Sequence, residues 1–127
     1  MNEDLETAIA LDFGAYDVRT GWAGDDTPIS VSRNLLDGTC PLTHPVGEVT
    51  SWDAVERVWK REMMSREVGY NNRIGGIPHP CVMVNVPALA SASDREGYVR
   101  LIMESFDADA AYVVAIPGAS ALYSSGR

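Results

Sequence analysis

The sequence predicts an α/β domain in which a mixed sheet is flanked by helices, in the order βββαβαβα. Two observations support this fold class. The first quarter of the chain holds three short strand-like segments separated by turn residues, which is typical of an antiparallel meander. The rest alternates amphipathic helical segments with short apolar runs, which is typical of parallel strands covered on both faces. The 127 residues are enough for one domain.

The three strands of the meander follow from local patterning. The apolar run at residues 8–11 ends at Asp12 and Gly14 and predicts a buried strand. Residues 18–22 alternate apolar and polar side chains and predict a second, half-buried strand. A dense turn signal at residues 24–28 separates it from a third strand at residues 29–31.

The first helix is predicted to begin at Trp52. Thr50 and Ser51 can cap its first turn, and Asp53 complements the helix dipole there. Apolar side chains recur at helical spacing, so one face should be buried. That face comprises Trp52, Val55, Trp59 and Met63, with Val58 beside them.

The second half of the chain predicts two further strands and two further helices. Residues 81–86 form a nearly continuous apolar run, as expected of a central strand. Ser93 and Glu96 form a capping box for the helix that follows. The predicted core face of that helix comprises Val99, Ile102, Met103 and Phe106. Residues 110–116 predict another buried strand, and Pro117 suits the first turn of a last helix carrying Ala121, Leu122 and Tyr123.

Composition excludes several classes of protein. A net charge of −8 argues against nucleic-acid binding, which needs a basic face. The start of the chain is acidic and no apolar run could span a bilayer, so we expect neither a signal peptide nor a membrane segment. Two cysteines in such a chain are expected to be reduced. The sequence therefore predicts a soluble, intracellular, cytoplasmic protein.

The two cysteines and two histidines have the ligand types of a Cys₂His₂ zinc site, but their expected positions argue against one. Cys40 and His44 would have to meet His79 and Cys81. The second pair begins the central strand, whereas the first should enter from its far end, roughly 20 Å away. We therefore predict no metal site.

Several segments resemble the actin family. Residues 22–28, WAGDDTP, are similar to a characteristic actin segment, and residues 49–53, VTSWD, continue the likeness. Further matching positions occur in the same order along most of the chain. They are Glu56, Trp59, His79, Pro80, Arg95, Glu96, Phe106, Tyr112, Val113 and residues 122–127.

This resemblance implies the RNase H-like core of actin's first subdomain. The chain is interpreted as a single truncated actin-like domain at residues 1–127, without actin's second subdomain or its second half. Only a short connector lies between Val31 and Pro45, where the second subdomain would be. Without these parts, we do not expect the chain to polymerise into filaments.

The resemblance also identifies a vestigial phosphate loop. It matches Asp12, Gly14, Ala15, Tyr16 and Arg19 in this sequence. A hydroxyl of the family's loop is replaced by Ala15, and its second glycine by Tyr16, which would crowd a phosphate. The family's water-positioning glutamine matches Pro117. We therefore expect no catalytic residue, no cofactor and no ATPase activity.

The function implied by the resemblance is that of a structural or docking subunit. In actin, the segment matching residues 122–127 lines a groove where partners insert a helix, so Leu122, Tyr123, Ser124, Gly126 and Arg127 are candidate partner-binding residues. Partners would be protein subunits of a cytoskeletal assembly, such as a dynein-associated or axonemal one in a cilium or flagellum. Two alternatives stay open: a regulator that mimics actin to bind actin-binding proteins, and an N-terminal fragment of a longer actin-like ATPase.

Overall fold

The computed structural model describes residues 8–22, 27–44, 46–65, 68 and 81–115. Within them the chain forms β1 (Ile9–Phe13), β2 (Asp17–Trp22), β3 (Ser30–Arg33), α1 (Trp52–Met63), β4 (Val82–Asn85), α2 (Ala92–Arg100) and β5 (Ala111–Val114). A π-helical turn, Leu101–Ser105, continues α2. This order confirms the predicted α/β class. The last predicted helix, from Pro117 onward, lies outside the described residues.

The five strands form one mixed sheet in the order β3-β2-β1-β4-β5. β1 pairs antiparallel with β2 and parallel with β4, so that Leu11 lies opposite both Thr20 and Val84. All residues of β1 are buried. The carboxyl ends of the parallel strands β1, β4 and β5 lie at the same edge of the sheet.

The last strand was predicted to be buried, and the structure differs in this respect. β5 is an edge strand of the described sheet and is only half-buried, with Tyr112 exposed. Its apolar sequence resembles that of β4, and a short apolar run does not reveal whether a strand has neighbours on both sides.

An aromatic cluster joins the sheet to both helices. The ring of Phe13 on β1 makes edge contacts with Trp59 of α1 and Tyr98 of α2, at centroid distances of 5.6 and 6.0 Å. Trp59 and Tyr98 stack on each other at 5.6 Å. Because Phe13 touches both helices, they cover the same face of the sheet. Burial, and secondarily the charge of Asp94, raises the pKa of the Tyr98 hydroxyl.

The prediction for α1 is confirmed apart from Trp52. The hydroxyl of Ser51 accepts a hydrogen bond from the backbone N–H of Ala54 and caps the helix. The predicted face is buried at Val55, Val58, Trp59 and Met63. Trp52 is 36% exposed, and its indole lies over Gly97 of α2 so closely that a Cβ there would overlap the ring.

The prediction for α2 needs two corrections. Ser91, not Ser93, caps the helix by accepting a hydrogen bond from the backbone N–H of Asp94. Val99 and Met103, predicted in the core, are 39% and 41% exposed. The buried face shares Ile102 and Phe106 with the prediction but is completed by Tyr98 and Leu101, because Tyr98 stacks on Trp59. It comprises Tyr98, Leu101, Ile102 and Phe106.

A polar contact ties the end of α1 to β3. The carboxylate of Glu62, 4% exposed, accepts hydrogen bonds from the hydroxyls of Ser30 and Ser32 at 3.0 and 2.8 Å. The guanidinium of Arg61 binds Glu62 at 2.7 Å and also donates to the carbonyls of Arg33 and Leu35. This Arg61–Glu62 clamp covers backbone acceptors at the end of edge strand β3, which would otherwise be open to another chain.

Candidate functional site: the turn after β1

The turn at residues 14–16 joins β1 to β2 at the carboxyl end of β1. The backbone N–H of Gly14 donates to the carbonyl of Asp17 at 3.0 Å and closes the turn. β4 runs parallel to β1 and ends at the same edge, since Asp12 lies opposite Asn85. This is the edge at which α/β sheets place their ligand sites.

A polar group lies directly below the turn. The carboxylate of Asp12 is buried and accepts hydrogen bonds at both oxygens, from Arg19 and from the side-chain amide of Asn85, each at 3.3 Å. The charge of Arg19 is thus balanced by Asp12. Asn85 was not predicted as a site residue, although a polar side chain ending a buried strand is a signal that could have identified it.

The short connector between β3 and α1 folds back over the turn. The side-chain amide of Asn34 donates to the carbonyl of Gly14, and its backbone N–H donates to the carbonyl of Tyr16, both at 2.8 Å. The thiol of Cys40 and the Nε2 of His44 both donate to the carbonyl of Ala15, at 3.3 and 2.6 Å. All three carbonyls of the turn are therefore hydrogen-bonded to the connector.

The side chain of Tyr16 adds a second contact with the connector. Its ring stacks on the imidazole of His44 with centroids 4.5 Å apart and planes within 3° of parallel. Tyr16 is nevertheless 63% exposed, so its ring lies at the surface. The ring of Tyr16 is thus held against His44, a residue that the predicted phosphate loop did not include.

The remainder of the connector is held against the loop after β4. Gly47 has a φ of +85°, which favours glycine, and a Cβ at this position would lie 2.6 Å from the ring of Pro87. The backbone N–H of Val49 donates to the carboxylate of Asp94 at 3.2 Å. These contacts fix the connector at both the β1 and β4 ends of the site.

The structure brings some predicted site residues together and leaves others untested. Asp12, Gly14, Ala15, Tyr16 and Arg19 form the turn and its immediate surroundings. The candidate partner-binding residues, Leu122, Tyr123, Ser124, Gly126 and Arg127, lie outside the described residues.

The two cysteines lie at opposite ends of the parallel strands, as expected from the sequence. Cys40 contacts Ala15 beyond the carboxyl end of β1, whereas the carbonyl of Cys81 accepts from Ile9 at its amino end. His79 lies outside the described residues. In the part of the chain that is described, no group of three or more His, Cys, Asp or Glu side chains could hold a metal ion. None of the described helices has the length and apolar character to cross a membrane.

Comparison with known proteins gives two informative relatives. No protein-family model matches the chain. Centractin from Saccharomyces cerevisiae is 33% identical over 104 residues, which are 80% of this chain and 26% of that protein. An actin-like protein from Neurospora crassa is 26% identical over 159 residues, which cover 100% of this chain and 40% of that protein. The chain thus spans less than half the length of either relative.

Proposed function

Because this chain is related to the actin family, we propose that it is a non-enzymatic structural or docking subunit of a cytoskeletal assembly. The name centractin and the term actin-like belong to the relatives and support only the cytoskeletal part of this proposal. The non-enzymatic part rests on this chain's own turn. A dynein-associated or axonemal assembly is the more specific form of the proposal.

The observation that supports a non-enzymatic role is the closed turn. A phosphate-binding turn needs small residues, so that its backbone N–H groups can approach the anion. Here the turn carries Tyr16, whose ring stacks on His44, and the connector is hydrogen-bonded across it. Arg19, the cation that could meet a phosphate, is paired with Asp12 instead. A nucleotide would have to displace the connector and compete with this ion pair.

We therefore expect no binding of ATP or ADP at millimolar concentration in the presence of Mg²⁺. Isothermal calorimetry on the wild-type chain should give no binding heat. The double variant Tyr16→Gly, His44→Ala removes the stack and serves as the comparison. Clear binding by the wild type would contradict this prediction, and equal binding by the double variant would show in addition that the stack has no part in excluding nucleotide.

The docking part of the proposal is tested at residues 122–127, the segment that the family resemblance implies as the partner-binding site. Leu122→Asp and Tyr123→Asp should reduce recovery of the chain in its native assembly, because a buried carboxylate at an apolar contact is costly. Val31→Asp is the matched control, since Val31 is exposed on edge strand β3. Recovery is measured by co-purification, and circular dichroism verifies that each variant is folded. Unchanged recovery of folded Leu122→Asp and Tyr123→Asp chains would remove this segment as the docking surface.

A further inference from the structure

The outer side of β5 is an open edge of the described sheet. Among the described residues, β5 pairs with β4 alone. The carbonyls of Ala110 and Val114 accept hydrogen bonds from β4. Because the backbone groups of successive strand residues point to alternate sides, those of Ala111 and Val113 point away from β4. Each of these two residues therefore offers a backbone donor and a backbone acceptor at the edge.

This edge lacks the protection that the opposite edge of the sheet has. At β3, the Arg61–Glu62 clamp covers backbone acceptors at the end of the strand. β5 has the sequence AYVV, without the proline or charged residues that usually keep an edge strand unpaired. Val113 is half-buried on the face that α2 covers, and Tyr112 is exposed on the other face. Such an edge favours pairing with a further strand.

Beside this edge, α2 and the π-helical turn that continues it form a groove with self-complementary charges. Val99 and Met103 are exposed and line the groove together with Val113 of β5. Arg95 lies toward one end of the groove and Glu104 toward the other. No ion pair links either of them to another described residue. A two-fold axis near Val99 therefore places Arg95 of each copy beside Glu104 of the other.

We propose that β5 pairs antiparallel with β5 of a second copy of this chain, in a two-fold symmetric dimer. Ala111 of each copy lies opposite Val113 of the other, and each such pair exchanges both of its N–H···O bonds. In this register Tyr112 lies opposite Tyr112 of the second copy, in a pair without backbone hydrogen bonds, where side chains come closest. On the other face of the sheet, the two α2 helices lie antiparallel across the groove.

The charges favour a second copy over a strand from an unrelated protein. An unrelated strand can use the open backbone groups, whereas a second copy also supplies the opposite charge for both Arg95 and Glu104. One two-fold axis satisfies the strand pairing and the helix contact together. The contact is isologous, so two copies close on each other and no filament results.

The first test measures the dissociation constant of the dimer by analytical ultracentrifugation of the full chain. Arg95→Glu and Glu104→Arg should each raise it about tenfold, because symmetry makes each substitution turn two attractive pairs into repulsive ones. The double variant reverses both charges and should restore the wild-type value. Arg57→Glu is the matched control, because Arg57 is exposed on α1 and does not line the groove. Val113→Pro should also weaken the dimer, since proline removes an outward N–H.

The second test is a disulfide cross-link that reports the register. Tyr112→Cys in the Cys40→Ser, Cys81→Ser background should form a covalent dimer on mild oxidation. Directly opposed residues without backbone hydrogen bonds have Cα atoms about 4.5 Å apart, within the range that a disulfide spans. Val31→Cys in the same background is the control, since Val31 is equally exposed on the opposite edge strand. It should cross-link far more slowly.

Circular dichroism verifies that each variant is folded. A folded wild-type chain that is monomeric at about 0.1 mM would overturn the proposal. It would also be overturned by single charge reversals that act no more strongly than Arg57→Glu, or by a double variant that does not recover. Cross-linking of Tyr112→Cys no faster than that of Val31→Cys would have the same consequence. None of these results depends on whether the chain docks into an assembly or binds nucleotide.

Discussion

Trp59→Ala is expected to lower the free energy of unfolding by about 3 to 5 kcal/mol, the range for removing a large buried aromatic side chain. Trp59 is fully buried and contacts the rings of Phe13, Tyr98 and Phe106. It therefore supports the sheet and both helices at once. Its indole N–H has no hydrogen-bond partner among the described residues, so the loss is one of packing and not of a polar contact.

Urea unfolding followed by circular dichroism measures this loss. Trp52→Ala on the same helix is the matched control, because it removes an identical side chain that is 36% exposed. We expect a clearly smaller loss there, limited to the contacts with Gly97 and Tyr98. Equal losses for the two variants would contradict the position of Trp59 at the centre of the core.

Glu62→Ala is expected to lower the free energy of unfolding by about 2 to 3 kcal/mol. The substitution removes the shared acceptor of Ser30 and Ser32 and leaves their hydroxyls facing a vacated, buried position. It also releases Arg61 from one of its contacts, although that guanidinium keeps the carbonyls of Arg33 and Leu35. This loss of stability is smaller than the cost of leaving a buried charge without its partner. The guanidinium of Arg61, which loses Glu62, is in contact with solvent.

The control for this prediction is Glu56→Ala. Glu56 lies on the same helix and forms an exposed ion pair with Lys60 at 2.8 Å, which is expected to contribute less than about 0.5 kcal/mol. Both variants can be compared by chemical denaturation. If Glu62→Ala were no more destabilising than Glu56→Ala, the Arg61–Glu62 clamp would not contribute to holding β3 against α1.

Regular elements with a strong local signal were predictable. The five described strands and the start of α1 at Trp52 follow from apolar runs, turn residues and a capping serine, all of which act within a few residues. Strand ends shifted by up to two residues, as at β1 and β3, because the end of a strand depends on its pairing partner. The relationship to the actin family was also readable from short collinear segments and agrees with the two relatives.

The buried face of α2 was not predictable in the same way. The predicted and the observed face share Ile102 and Phe106, and at helical spacing they can be completed either by Val99 and Met103, as predicted, or by Tyr98 and Leu101, as observed. Local periodicity favours neither. The stack of Tyr98 on Trp59 decides between them, and that contact joins two helices whose relative position is set by the sheet.

For this protein, the sequence alone determined the α/β class, the strand and helix order and the altered residues of the first turn. Only the tertiary structure decided that the connector closes this turn. Asn34, Cys40 and His44 bind carbonyls 20 to 29 residues away, and the segment that carries them has no periodicity. Which backbone acceptor such a side chain meets depends on the path of the whole connector, fixed in part by Gly47 against Pro87. Local propensity carries no information about contacts of that range.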